Sequence, residues 1–257
     1  SVLHAMTKAS IQSADVNRRG TQLKLTLKVN DGQRIIFKPK WYSRETIFTD
    51  GPFEGWDRHN GEVAAFHIGR LLEFNRTPLV IGRRINLRTE ILPYATSRLK
   101  NTFFTRGNNT CFYGMCHYCR GESTGVCGDG DIMEGVVMLW LPSTYELFNH
   151  NHPWKRTYRE YKASFGNPFK DEESILAPLY QCCRIRFRTW QRLLILQDGV
   201  LSEVLRKILN QDPISPVLWK YHYGALDRRL KGILAQVQVC IDRNGLDTVL
   251  VKDDQIS

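Results

Sequence analysis

No run of eighteen apolar residues occurs anywhere in the chain, and its first residues do not combine positive charge with a short apolar stretch, so any membrane anchor or secretion leader is expected outside these residues. Neither G-x-x-x-x-G-K-[ST] nor G-x-G-x-x-G is present, which removes the ordinary glycine-rich phosphate cradles. His-Arg-Asp does not occur either. Asp57-Arg58-His59 does not replace it, because that string precedes its candidate helix instead of following a central strand. Internal repeats and low-complexity stretches are also lacking, which excludes solenoids and linker-like segments.

What is present describes a packed protein. The 257 residues are 42% hydrophobic and 11% aromatic, enough for one large domain or two lobes. Basic side chains number 36 against 26 acidic ones, a net charge of +10, which favours anionic partners without choosing among nucleotide phosphates, nucleic acid and sulfated glycans.

Four of the seven cysteines crowd into Cys111, Cys116, Cys119 and Cys127, leaving Cys182, Cys183 and Cys240. Zinc ribbons present two short-spaced pairs, whereas Cys111 and Cys127 stand alone, so disulfides lead over zinc. Two N-x-[ST] triplets, Asn75-Arg76-Thr77 and Asn108-Asn109-Thr110, point the same way, toward an oxidising compartment. The cysteine total is odd, so one thiol pairs between chains or lacks a partner.

Along the chain, apolar residues alternate from Thr21 to Val29 and predict a strand. Asn30-Asp31-Gly32 supplies a turn, and Arg34 to Lys38 the returning strand of a hairpin ended by Pro39. A loop follows to His59; Asn60 is the expected N-cap of a helix from Gly61 to Phe74 with Val63, Phe66, Leu71 and Phe74 inward. A β-like stretch spans Leu79 to Leu87. After the cysteine-rich region, Gly135 to Leu141 is apolar on both faces and suits a buried central strand stopped by Pro142. From Ser174 the pattern is helical, with Ile185 to Asn210 and Ala225 to Arg243 as the long segments and Gly245 as a stop. The expectation is an α+β, two-lobed arrangement, 1–142 rich in sheet and 143–257 helical.

Lys38 at a strand end and Glu62 early in the next helix stand in the order of the lysine and glutamate that position ATP in protein kinases; by spacing alone they read more readily as ordinary surface residues. Asp57 is a loop carboxylate suited to a hard divalent cation or to capping a turn. Cys116-His117 offers no nucleophile and base, since neighbours in sequence rarely face one another. Lys155 to Arg159 and Arg184 to Trp190 interleave basic and aromatic residues as nucleic-acid binders do, but the second is equally a helix face, and the sequons and expected disulfides argue against nucleic acid as a partner.

Longer strings decide the matter. Phe37-Lys38-Pro39-Lys40-Trp41-Tyr42-Ser43-Arg44, Asp57-Arg58-His59-Asn60, Glu62 to His67, Gly107 to Gly114, Ile132-Met133-Glu134-Gly135, Trp140-Leu141-Pro142, His152-Pro153-Trp154, Ser164 to Pro168, Ser174 to Cys183 and Asp212 to Leu218 resemble, in order, the glycosaminoglycan xylosylkinases, relatives of the Golgi casein kinase. The resemblance runs from about Gly20 to Asp253. It implies a two-lobed, atypical protein-kinase-like fold and a lumenal Golgi enzyme that uses ATP and Mn²⁺ to phosphorylate the xylose 2-hydroxyl of the proteoglycan linkage region. It also implies that Gln22 and Lys38 contact ATP, that Glu62 pairs with Lys38, that Asp57 reaches the metal, and that Leu139, Trp140, Leu141 and Pro142 form the hinge around adenine. Disulfides Cys111–Cys127, Cys116–Cys119 and Cys183–Cys240 follow from the same resemblance, as does association with related secretory-pathway kinases.

One departure is large. Between the His-Pro-Trp string and Ser164 the family carries a long segment with its catalytic Asp and a metal-ligating Asp, and here only Tyr161, Lys162 and Ala163 intervene beyond the shared residues. No residue is left for the catalytic base; Glu160 stands at the spacing of the metal carboxylate, but it continues the upstream string. The partner that the family gives Cys182 lies in the missing segment, so Cys182 is expected to be the unpaired thiol. The expected behaviour of this polypeptide is therefore an inactive kinase or a pseudokinase-like binding partner.

Overall fold

A computed structural model describes the chain except for residues 19, 21, 31, 48–58, 146–176 and 253–257. It divides into two units. The first comprises Ser1–Arg70, Phe74–Thr144 and Leu205–Trp219; the second comprises Leu71–Glu73, Tyr145–Val204 and Lys220–Ser257.

The first unit is organised on a five-stranded antiparallel sheet. A short helix α1 (Val2–Lys8) leads into β1 (Ile11–Val16), followed by β2 (Leu25–Val29), β3 (Gln33–Pro39), helix α2 (His59–Leu71) and β4 (Val80–Asn86). Helix α3 (Ser97–Lys100), β5 (Phe103–Arg106), β6 (Asn109–Phe112), β7 (Val126–Cys127) and β8 (Ile132–Leu139) complete it. Sheet order is β1-β2-β3-β8-β4, so β8 lies between β3 and β4 as its two-sided apolar run requires, with Val136 and Val137 both fully buried. One face packs a core that includes Leu25, Leu27, Ile35, Phe37, Ile85, Met133 and Val137. Truncating a ring such as that of Phe37 in this setting costs about 3–5 kcal/mol.

Several expectations shift. The strand predicted from Thr21 begins at Leu25, because Asn17 N–H bonds Lys24 O and the chain is turning before that point, with Gly20 at φ 78°. The helix begins at His59, before Asn60. Asn60 is therefore buried inside the first turn and bonds elsewhere, while Phe74 lies past the helix end and is 48% exposed. The cysteine-rich region is a small sheet, β5-β6-β7, closed by Cys111–Cys127, with Cys116–Cys119 in the connection between β6 and β7.

In the second unit the described residues form helices α4 (Ala177–Cys182) and α5 (Phe187–Ile195), the start of α6 (Val200–Leu209), α7 (Lys220–Asn244) and α8 (Leu246–Val249), with a two-stranded parallel pair β9 (Ile185–Arg186) and β10 (Leu250–Val251). The continuous helix predicted over Ile185 to Asn210 is broken at Asp198 and Gly199, both at positive φ. Leu193, Leu196, Leu201 and Leu230 form one core cluster, and Val237, Cys240, Val249 and Leu250 another. Cys183 is bonded to Cys240, and Cys182 is free and exposed. All three disulfides and the stray thiol thus fall where expected.

Candidate functional site

Register explains why distant side chains meet. Lys38 on β3 pairs with Val136 on β8, and Val136 pairs with Gly82 on β4, so the three stand in one row on the sheet face opposite Phe37. Two residues along, Glu134 pairs with Arg84 and shares that face. The Lys38 Nζ forms an ion pair with Glu62 Oε1 on the first turn of α2, both side chains mostly buried. A strand lysine anchored by a helix carboxylate is what a phosphate-positioning cation needs: a charge held at one place.

Beside this pair sits a second ionic cluster. Glu134 Oε1 accepts from Arg44 Nη2 at 2.8 Å and from His59 Nε2 at 3.0 Å, since an ionised carboxylate can only accept. Arg84 Nη2 lies 3.6 Å from the other oxygen. Burial raises the Glu134 carboxyl, but the His59 hydrogen bond and the Arg44 guanidinium outweigh it and hold it at about 2. Glu134 therefore gathers two residues, Arg44 and His59, that lie on either side of Asp57 in the sequence.

The same face holds a clasp made by Leu205–Trp219. Asp212 takes Gly82 N–H on one oxygen at 3.1 Å and Ile214 N–H on the other at 3.0 Å; Arg44 donates to Ile214 O, Arg84 to Pro213 O and Asn60 to Val217 O. Gly82 has no spare room: a Cβ there would lie 2.2 Å from Asp212 Oδ1. His67 on α2 is pushed down, by burial first, with Asp212 opposing.

Among the other predicted site residues, Gln22 is half-buried in the connection between β1 and β2, its carbonyl accepting from Lys24. At the expected hinge, Leu139 N–H is committed to Leu79 O and Trp140 N–H to Arg34 O, while Leu141 and Pro142 follow the last ladder bond. Asp57, Glu160 and the Tyr161 to Ala163 junction lie outside the described residues. Among the described residues, no three His, Cys, Asp or Glu side chains gather as a metal-binding group. Sequence reasoning passed over Arg44, His59 and Glu134. The one available signal was Glu134 itself, a lone carboxylate on the flank of an otherwise apolar strand.

An antiparallel sheet bearing a lysine–glutamate pair against one helix, with a helical second unit, defines a kinase-like α+β protein. The chain belongs to the Fam20 family: the profile described as "Golgi casein kinase, C-terminal, Fam20" matches residues 1–164 and 160–249. It is 46% identical to human glycosaminoglycan xylosylkinase over 98% of this chain and 77% of that protein, and 32% identical to mouse pseudokinase FAM20A over 92% of this chain and 57% of that protein. Among solved structures, hydra Fam20 with sugar superposes at TM-score 0.89 with 37% identity, covering 98% of this chain and 91% of that one. The Golgi casein kinase with Mn/ADP bound superposes at 0.83 with 25% identity, covering 99% and 80%.

The break expected near Tyr161 has its counterpart in these matches. The family profile fits in two stretches that meet at 160–164, and the alignment with the human xylosylkinase runs over 317 residues, more than the 257 present here. Within the aligned span the human protein therefore has residues that this chain lacks, and the family match is interrupted at 160–164.

Proposed function

We propose that this chain is built on the plan of a Golgi-lumenal kinase that transfers phosphate from ATP, with Mn²⁺, to the 2-hydroxyl of xylose in the proteoglycan linkage region, and that this polypeptide retains the nucleotide-shaped half of that plan without turning over. The observation that carries the reading is the Lys38–Glu62 ion pair on the sheet face opposite Phe37. In this assignment Lys38 and Gln22 face the phosphates, Glu62 holds Lys38, and Leu139 to Pro142 border adenine through their carbonyls and the Leu141 amide. The sheet-rich part, 1–142, acts as the nucleotide lobe and 143–257 as the acceptor lobe.

These side chains fit a nucleotide; the metal has only Asp57 assigned to it. Bound Mn²⁺ would supply charge neutralisation on the phosphates. With no residue assigned as the carboxylate for the attacking hydroxyl or as a second metal ligand, both positioning and electrostatic stabilisation would fail together, and these are nearly all that phosphoryl transfer uses.

The test is direct. Thermal shifts with ATP and ADP, with and without Mn²⁺, should show binding, and labelled ATP with a galactosyl-xylose acceptor should show no transfer. Manganese-dependent transfer by this chain would refute the inactive assignment, and absence of any nucleotide shift would refute retained binding.

A second reading is a non-catalytic partner of related secretory-pathway kinases, favoured by the break in the family match at 160–164 beside an intact Lys38–Glu62 pair. Co-expression with a competent family kinase should then raise that kinase's activity.

A further inference from the structure

Two sequons remain outside that reading, and the structure separates them. Asn75-Arg76-Thr77 lies in the connection between α2 and β4, with Asn75 and Thr77 both exposed. Asn108-Asn109-Thr110 straddles the β5–β6 hairpin. Asn108 is exposed at the turn beside Gly107, whose φ is 60°. Thr110 is only 7% exposed: its hydroxyl donates to Asp131 Oδ1, its N–H bonds Gly130 O at 2.9 Å, and the Asn109 side-chain oxygen accepts Gly130 N–H at 2.9 Å. The next residue, Cys111, is tied to Cys127 on β7.

The geometry points to both asparagines being N-glycan acceptors, with Asn108 reachable only until Cys111–Cys127 closes, so that glycan transfer and disulfide formation compete at this hairpin. The inference rests on the secretory placement proposed above. An N-x-[ST] acceptor is read through the asparagine amide and the hydroxyl two residues on, together. At Asn75 both groups stay at the surface of the folded chain. At Asn108 the amide stays outside, but the hydroxyl is drawn into the hairpin and locked there by the neighbouring crosslink.

The chemistry balances. The donor is a polyprenyl-pyrophosphate-linked oligosaccharide; the Asn Nδ2 to sugar C1 bond forms, the C1–O bond to pyrophosphate breaks with its electron pair leaving on pyrophosphate, and the Nδ2 proton goes to a base. The competing step joins two thiols, giving up two electrons and two protons to a protein disulfide, which becomes a dithiol.

The experiment expresses the 257-residue chain behind a cleavable secretion leader and reads glycan number by mobility before and after peptide N-glycosidase, with occupancy at each asparagine by mass spectrometry. Asn75→Gln and Asn108→Gln should each remove one shift. The expected pattern is full occupancy at Asn75 and partial occupancy at Asn108. In the Cys111→Ser, Cys127→Ser double variant the doubly glycosylated band should grow at the expense of the singly glycosylated one. The Cys183→Ser, Cys240→Ser variant controls for general slowing of folding and should leave Asn108 unchanged. Equal Asn108 occupancy with and without Cys111–Cys127, or an Asn108 rise in the control as well, overturns the inference while leaving the secretory placement standing. Disulfides formed without glycans overturns it likewise; absence of both disulfides and glycans overturns the placement and the inference together.

Discussion

The side-chain amide of Asn60, on the first turn of α2, donates to the carbonyl of Val217, 157 positions further along the chain, at 2.7 Å in a buried setting. That bond is one of several that hold Leu205–Trp219 against the sheet face carrying Lys38. Asn60→Ala leaves Val217 O buried without its donor and should cost about 1–3 kcal/mol. Gly82→Ala presses a methyl group into Asp212 and Ile214 and should cost a similar or larger amount, about 1–3 kcal/mol or more. Chemical denaturation of both variants measures this, and unchanged midpoints would show that the clasp contributes nothing.

Glu134 contributes acid sensitivity to the first unit. Its carboxyl lies at about 2 in the folded chain against an ordinary 4.5, so the folded state favours the ionised form. Its stabilisation is complete above pH 4.5 and is lost as pH falls toward 2. Glu134→Gln removes that dependence, so its unfolding midpoint between those two pH values should flatten relative to the parent chain. A parallel pair of pH curves contradicts the assignment.

Cys182 should be the one thiol open to reagent in the native protein. Mass spectrometry after alkylation without reductant should show a single adduct, located at Cys182, with the other six cysteines protected in pairs. Adducts at Cys183 or Cys240 would show that the second-unit crosslink is not as described. Removing that crosslink, with a sequence separation of 57, should cost about 2–5 kcal/mol.

For the Lys38–Glu62 pair, the expectation separates binding from stability. Lys38→Met should abolish the nucleotide-induced thermal shift. Glu62→Gln should weaken it. With side chains 18% and 27% exposed, each change should cost the unliganded chain less than the roughly 3–5 kcal/mol of breaking a fully buried pair. A large loss of stability with nucleotide binding retained would assign the pair to structure alone.

Much of the sheet was legible because its rule is local. Alternation marks β2 and β3, and the two-sided apolar run marks β8, whose place between β3 and β4 follows from needing cover on both faces. β1 escaped notice because Ile11 to Val16 mixes Gln12, Ser13 and Asp15 among its apolar residues and forms only against β2. The break in the long C-terminal helix was present in plain view as Asp198-Gly199, a turn dipeptide overridden by strong apolar spacing on either side. Asn60 looked like a cap because asparagine before a helix usually is one; its actual partner, Val217, is set by tertiary packing that no window of sequence contains. Lys38 and Glu62 were readable as a pair only through the family strings, whereas the Arg44, His59 and Glu134 cluster joins three separate elements and shows only once the register is known.

The division of the chain has a consequence for what can be lost from it. The first unit is written in separate stretches of sequence, and the point where the family match is interrupted, 160–164, falls inside the interval Tyr145–Val204 that contributes nothing to it. A chain that departs from its relatives there still encodes every strand of the sheet, the Lys38–Glu62 pair and the Leu205–Trp219 clasp. Architecturally the two parts are separable: an in-frame change inside Tyr145–Val204 leaves every residue of the first unit in place.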